Sequence, residues 1–317
     1  MEPIAPYIVI VAVTLDLLLG DPSWLPHPVV GIGKLISTQE RHLRRLIRNE
    51  RLAGVLLLIS VVGTTALLAF LLLKGASAIH SYLGAALAAV LAWTCLAARS
   101  LQRESSLVAE RLIAGDLPGA RQYLSRIVGR DTDDLDEAEI WRALVETVAE
   151  NTSDGIIAPL FYLLIGGPVL GLAYKAVNTL DSMVGYKNER YREFGWASAR
   201  FDDLANWLPA RLTGLLMVLA APIVGFSAGT AFTMMIRDGG NHSSPNSGIP
   251  EAATAGALGV RLGGTNRYFG QPVEKPTIGD PLREPSRESY QGAIRLMYGS
   301  LALLLTVWGV VIAVRYL

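Results

Sequence analysis

Three long runs without a charged side chain constrain this sequence more than any other feature. They cover residues 54–73, 75–98 and 296–314, and the first is rich in Leu and Val. A helix needs about 20 apolar residues to cross the hydrocarbon core. Lipid offers the backbone no hydrogen-bond partner, so runs of this kind cross as helices. Residues 4–20 form a fourth apolar run. It lacks the basic leader and small-residue cleavage site of a signal peptide, and is read as a first span. Lys74 and Gly75 read as the tight link of a helical hairpin between the second and third spans.

Two further apolar stretches are interrupted. Residues 155–174 contain Gly166, Gly167 and Pro168, and residues 212–236 contain Pro222, Gly225 and Gly229. Membranes tolerate such breaks only against protein or a wet cavity. The expected fold is therefore an all-α integral membrane protein. It has about four full transmembrane helices and two broken or re-entrant apolar helices, in one polytopic domain over 1–317. Charged residues make up 18% of the chain, where a soluble domain has about a quarter, which agrees.

Lys and Arg set the expected orientation. Six of them follow the first span, from Lys34 to Arg51, and six more follow the third, from Arg99 to Arg130. Both segments should be cytoplasmic, as should the basic 237–295 region. The helical segment 99–155 and the loop-rich segment 237–295 then share one side. The basic 175–203 loop joins them only if both interrupted stretches are re-entrant or interfacial. Asp133 or Asp134 is expected to cap a helix running from Asp136 to Glu150. No Asn-Gly hairpin signal stands in a convincing setting. A formal net charge of zero gives no basic field for nucleic acid. The one cysteine, Cys95, excludes an internal disulfide and reads as a small buried hydrophobe.

Four polar constellations flank the apolar runs. The first contains Asp16, Asp21 and His27 among Pro22, Pro26 and Pro28. The prolines fix φ and hold Asp21 and His27 in place. A rigid, capped helix end is the plainer reading. The second is Glu146, Glu150 and Asp154 with Asn151. Spacing of four puts the carboxylates on one helix face, where they repel unless a cation sits among them. Mg²⁺ takes oxygen ligands, often one or two carboxylates plus substrate phosphates. A solvated acidic face is the alternative, but this one runs straight into apolar residues 155–164.

The third constellation is Lys175, Asn178, Asp181, Tyr186 and Lys187, continued by Arg200, Asp202, Asp203, Asn206 and Arg211. Compensation of a helix dipole would also account for Asp202 and Asp203. The fourth is Arg237, His242, Asn246 and Glu251 among Gly and Ser residues. It suits an anion-binding loop, with Pro250 and Glu251 opening a helix through 252–258. A flexible surface loop is the alternative. No P-loop, His-Glu-x-x-His zinc site or nucleophile elbow is present. The remaining carboxylates, cations, His and amides suit Mg²⁺-assisted phosphate chemistry.

Several runs carry a resemblance to a known family. They are Gly129-Arg-Asp-Thr132, Glu146-Thr-Val-Ala-Glu-Asn-Thr152, Asp154-Gly-Ile-Ile-Ala-Pro159, Ala176-Val-Asn-Thr-Leu-Asp-Ser-Met-Val-Gly-Tyr186 and Asn241-His-Ser-Ser-Pro-Asn246. With Asp21-Pro22, Pro26-His27-Pro28 and the stretch from Asp202 to Arg211, they resemble the adenosylcobinamide-phosphate synthases, the integral membrane CbiB/CobD family of cobalamin biosynthesis. The resemblance spans nearly the whole chain. It implies a ligase of the cell membrane, with its active site on the cytoplasmic side. The ligase would join adenosylcobyric acid to aminopropanol, or its phosphate, through an amide bond, with ATP and Mg²⁺ and by way of an acyl phosphate.

On residue chemistry, Glu146, Glu150, Asp154 and Asp181 would hold the metal and act in catalysis. Arg130, Lys175, Arg200 and Arg237 would balance phosphate charge, and His242 or His27 would take the ammonium proton. Asp21, Asp131, Asn151, Asn178, Tyr186, Lys187, Asp202, Asp203, Asn206, Arg211, Asn246 and Glu251 would complete the substrate site. Partners would be the corrinoid, the amine, the bilayer and other membrane-associated enzymes of the pathway, with no nucleic acid. The competing reading is a transporter or scaffold for a corrinoid or other anionic metabolite.

Overall fold

The computed structural model describes residues 6–22, 24–186, 188–268 and 270–316. In chain order the helices are α1 (Pro6–Leu19), α2 (Pro28–Leu46), α3 (Glu50–Ile79), α4 (Ser81–Trp93), α5 (Ala98–Ile113), α6 (Leu117–Leu124) and α7 (Glu137–Thr152). After a π-helical turn (Ser153–Ile157) come α8 (Ala158–Val184), α9 (Trp196–Ala205), α10 (Trp207–Ala220), α11 (Ala228–Asp238), α12 (Gly248–Leu258) and α13 (Arg287–Tyr316). A two-stranded hairpin, β1 (Leu262–Tyr268) and β2 (Gln271–Ile278), precedes α13.

The fold is all-α and has the helices of a membrane protein. Among the described residues, four helical stretches are long and apolar enough to cross a membrane: Glu50–Ile79, Ser81–Ile113, Glu137–Val184 and Arg287–Val314. Only 22% of the apolar window of Glu50–Ile79 is buried, so its Ile59, Leu67, Phe70 and Leu71 face outward as a lipid-facing surface would.

The membership of this set differs from expectation at two points. Among the described residues α1 has 14, about 21 Å of helix, and is not one of the four. It stops at Gly20, whose φ of 61° no other residue adopts cheaply. The interrupted 155–174 stretch instead belongs to one of the four. It is kinked where Gly166 (φ −138°) and Gly167 (φ 63°) leave helical geometry ahead of Pro168. The 212–236 stretch breaks as expected: α10 and α11 are separated by a turn holding Pro222 and Gly225. Lys74 and Gly75 lie inside α3, and the hairpin link falls at His80, which caps α4 by accepting the Tyr82 N–H.

Chain contacts group the residues into two compact units. Unit 1 comprises residues 1–97 and 158–206, and unit 2 comprises 98–157 and 207–317. In unit 1, α3 packs on α2, α4, α8 and α9 around Ile36, Leu57, Val61, Leu180 and Phe194. α3 presses so closely on the chain before α9 that a Cβ at Gly54 would lie 1.8 Å from the Phe194 carbonyl oxygen. Gly54→Val should therefore yield no folded protein. Gly63→Val on the same helix, where a Cβ meets nothing within 4 Å, should be tolerated; size-exclusion profiles in detergent compare the two.

In unit 2, α7 packs on α5, α12 and α13, and α10 packs on α12 and α13. α7 starts at a capping box, with Asp136 and Glu139 bonding each other's backbone N–H, so Asp136 rather than Asp133 or Asp134 is its cap. The segment expected to be mostly loop contains all of α12 and the hairpin. α12 opens at Gly248, as Pro250 and Glu251 suggested.

Candidate functional site

Unit 2 holds a polar cleft of about 230 Å³. Three parts of the chain wall it. The loop before α7 brings Arg130, one face of α7 brings Glu146, Glu150 and Asn151, and the 242–251 segment brings His242 and Glu251. The hairpin closes it with Gly263, Asn266, Tyr268 and Lys275.

The periodicity of α7 explains the carboxylate face, since residues four apart share a side of a helix. Glu146 is almost fully buried and ion-paired to Arg130. Its Oε1 also accepts the Gly263 N–H at 2.8 Å, and Arg142 lies 3.8 Å away. Arg130 donates in addition to Asn266 Oδ1 at 2.6 Å. Burial weakens the hold of the Arg130 guanidinium on its proton, and the Glu146 charge more than restores it. Glu150 is half-buried and accepts from the Ser247 hydroxyl at 2.9 Å.

The hairpin supplies its contact through a β-bulge between Leu262 and Gly264. The extra residue is on β2, where Pro276 and Thr277 stand opposite Gly263 alone, and Gly263, with φ 76°, turns its N–H toward Glu146. A Cβ there would stand 2.4 Å from the Pro276 carbonyl oxygen. Gly263→Ala should lower stability by more than about 1 kcal/mol and reduce turnover with it, read from thermal unfolding and product formation.

His242 and Glu251 face each other across the cleft, with Nε2 4.0 Å from Oε1. His242 Nδ1 accepts the Ser244 N–H at 3.0 Å, so the neutral ring carries its hydrogen on Nε2. Burial lowers the proton affinity of His242. Burial, then the charges of Glu150 and Glu146, push the Glu251 carboxyl well above the ordinary carboxylate range. Among the described residues, no three His, Cys, Asp or Glu side chains gather closely enough to hold a metal ion. Of the expected metal set, Glu146 in unit 2 is taken up by Arg130 and Gly263 and Asp154 sits on the π-helical turn, while Asp181 lies on α8 in unit 1.

Other expected site residues in unit 2 lie around the cleft rather than in its wall. Asp131 accepts the Gly270 N–H at 2.7 Å and so pins the hairpin turn. Arg211 stacks over Trp207 and donates to buried Asn246 at 3.3 Å. Arg237 bridges Asp238 and Asp280 at 2.7 and 2.9 Å, and Asp238 also accepts the Gly279 N–H, so this arginine fastens the end of α11 to the chain after β2.

Unit 1 has its own polar groups. His27 caps α2 by accepting the Val29 N–H on Nδ1, and its Nε2 lies 3.4 Å from Asp21. Asp202 is buried and accepts from Asn206, which in turn accepts from the Tyr174 hydroxyl at 2.8 Å. Burial, then the Asp181 charge, push the Asp202 carboxyl up to about 7, and Asn178 also bonds it. Arg200 stands 3.9 Å from Asp203, Tyr186 is exposed and Lys175 lies on α8. Lys187 is outside the described residues.

The hairpin residues Gly263, Asn266 and Lys275 were not among the expected site. No apolar alternation runs from Leu262 to Ile278, and Pro272 and Pro276 argue further against strands, so the sequence carried no signal for them. In a two-stranded hairpin both edges are free, so those prolines forfeit no second partner strand.

The chain matches the model of a family described as CobD/Cbib protein over residues 9–297. It is 66% identical to the "Cobalamin biosynthesis protein CobD" of Geobacter metallireducens, across 94% of this chain and 93% of the relative. It is 61% identical to the protein of the same name from Pelobacter propionicus, across 93% and 91%. It is 49% identical to the "Cobalamin biosynthesis protein CbiB" of Salmonella arizonae, across 94% of each. No solved structure matches.

Proposed function

Because this chain belongs to the CobD/CbiB family and so to cobalamin biosynthesis, we propose that it is the ligase that joins aminopropanol, or its phosphate, to a side-chain carboxylate of adenosylcobyric acid. The observation that carries this reading is the unit 2 cleft, where cations and carboxylates meet in a space fitted to a small zwitterion. At about 230 Å³ it lies below the usual range for drug-sized ligands, about 300–1,000 Å³, and suits a short amino alcohol phosphate.

In this reading Arg130 and Lys275 take the phosphate end, with Asn266 and Asn151 as neutral partners. Glu150 takes the ammonium end, since Glu146 is already paired and burial raises the proton affinity of Glu251. Amide formation needs a leaving group better than carboxylate oxygen. The corrinoid carboxylate attacks the γ-phosphorus of ATP, releasing ADP and leaving an acyl phosphate. The ammonium gives one proton to Glu150, and the free amine attacks the acyl carbon. Inorganic phosphate departs, taking the second amine proton. His242, with its hydrogen on Nε2, is a donor to phosphate rather than the base expected from sequence. Mg²⁺ belongs to this scheme as the companion of ATP.

The positive-inside bias supports a cytoplasmic-membrane protein with this chemistry on the cytoplasmic face. A cysteine replacing exposed Arg192 would report the side of that loop, because Cys95 is buried and gives no background. Labelling only from outside would overturn the single-sided arrangement.

Purified full-length protein in detergent tests the reaction, with adenosylcobyric acid, ATP, Mg²⁺ and either amine. We expect ATP-dependent amide product, lost in Glu150→Gln. Corrinoid counterflow in sealed vesicles without chemical change would replace the ligase with a transporter.

A further inference from the structure

Unit 1 contains a second cavity, of about 910 Å³, that the small-molecule chemistry of unit 2 leaves unused. It lies between the proline-rich turn after α1, the first turns of α2, the break after α4, and Lys175 of α8. The turn is built to hold its shape. Pro22, Pro26 and Pro28 fix φ. Trp93 Nε1 donates to the Gly20 carbonyl at 3.0 Å, and the Leu25 N–H to that of Pro22 at 3.0 Å. His27 Nδ1 accepts the Val29 N–H, while its buried Nε2, 3.4 Å from Asp21, makes no hydrogen bond among the described residues. Much of the remaining wall is apolar, with Leu25, Val29, Val30 and Leu96, and the ammonium groups of Lys34 and Lys175 flank it.

A cavity of this size and character is mismatched to a small phosphate ester, which would leave its apolar walls wet. It matches a large ligand with an apolar body and an anionic group. We propose that this cavity binds the acid substrate of the ligation, a large amphipathic carboxylate, with its apolar face against Val30, Leu25 and Leu96 and its carboxylate toward Lys34 and Lys175. This rests on the ligase reading and assigns to its larger substrate a place separate from the amine cleft.

Gly31 provides a clean test. It lines the cavity from within α2, and a Cβ built on it meets nothing within 4 Å. A side chain at Gly31 thus starts in open space beside the cavity, and leucine suits a helix better than glycine. Equilibrium dialysis of the full-length protein in detergent would use adenosylcobyric acid as one probe and aminopropanol phosphate as the other. Gly31→Leu and Lys34→Glu should each weaken binding of the acid at least tenfold and leave the amine unchanged, while Lys34→Arg retains acid binding. If the wild type binds the acid and both variants bind it equally well, the cavity is not its site. Loss of a co-purified lipid from Gly31→Leu, with acid binding intact, would assign the cavity to lipid and overturn the proposal. If the wild type binds no acid at all, the ligase reading itself falls.

Discussion

Arg130→Ala should abolish activity and cost about 3–5 kcal/mol of stability, the expected price of breaking a buried ion pair from one side. Both partners are almost fully enclosed, with 9% of the Arg130 side chain and 8% of Glu146 exposed. Truncating the arginine strands a carboxylate whose remaining partners are the Gly263 N–H and the more distant Arg142. Asn266 loses its closer donor at the same time and keeps only Arg142, at 3.5 Å. A merely structural role is separated from a functional one by the double variant Arg130→Met/Glu146→Gln. The glutamine oxygen can still accept from Gly263, no charge is left buried, and most of the lost stability should return. Activity should not return, because the phosphate end of the amine has lost its guanidinium. Thermal unfolding in detergent and product formation read the two effects. Full activity in Arg130→Ala would sink the assignment, and a double variant no more stable than the single one would sink the account of the pair.

The same cleft shows what the sequence could and could not convey. The carboxylates of α7 were legible because helical periodicity is local: Glu146 and Glu150 share a face whatever packs against them. Their partners were not, because Arg130, Ser247 and Gly263 meet that face only through tertiary packing. The hairpin was hidden for a local reason. Pro272 and Pro276 argue against a strand, and no apolar alternation marks either arm. The role of His242 turned on which ring nitrogen the Ser244 N–H engages, a matter of loop geometry with no signature in composition. At the level of spans, charge-free runs located the apolar helices well. They did not show that α1 ends on a left-handed turn at Gly20, or that the 155–174 stretch is carried in one long kinked helix.

The motifs that carry the family resemblance divide between the two units. The runs 129–132, 146–152 and 241–246 are in unit 2, and their side chains build or border the amine cleft. The turn around His27, the run 176–186 and the Asp202–Asp203 pair are in unit 1. A ligase must hold two dissimilar molecules, one small and charged and one large and amphipathic. The small polar cleft of unit 2 and the larger, more apolar cavity of unit 1 differ in the corresponding sense.

Glu251→Gln should make the protein more stable than wild type, by a margin that grows as the pH rises. Burial, then the negative charges of Glu150 and Glu146, raise the proton affinity of Glu251, and Lys275 and Arg130 offset them only in part. The folded protein therefore keeps this proton after the unfolded chain has released it. Where the folded state binds one proton more, stability falls with rising pH, by about 1.4 kcal/mol per unit. The decline starts at the ordinary glutamate range and ends at the raised value in the folded state. Glutamine has no proton to lose, so the variant lacks this slope. The two proteins should match below the ordinary glutamate range and separate steadily as the pH rises above it. His242 contributes a slope of the opposite sign below its ordinary range, since burial lowers its proton affinity, so the informative quantity is the difference between variant and wild type. Glu150→Gln provides an independent check. Removing the nearest charge that raises Glu251 should bring the end of the wild-type decline to lower pH. A difference between Glu251→Gln and wild type that stays constant across this range would show that Glu251 is ionised in the fold, and Glu150 would then have a charged rival for the ammonium.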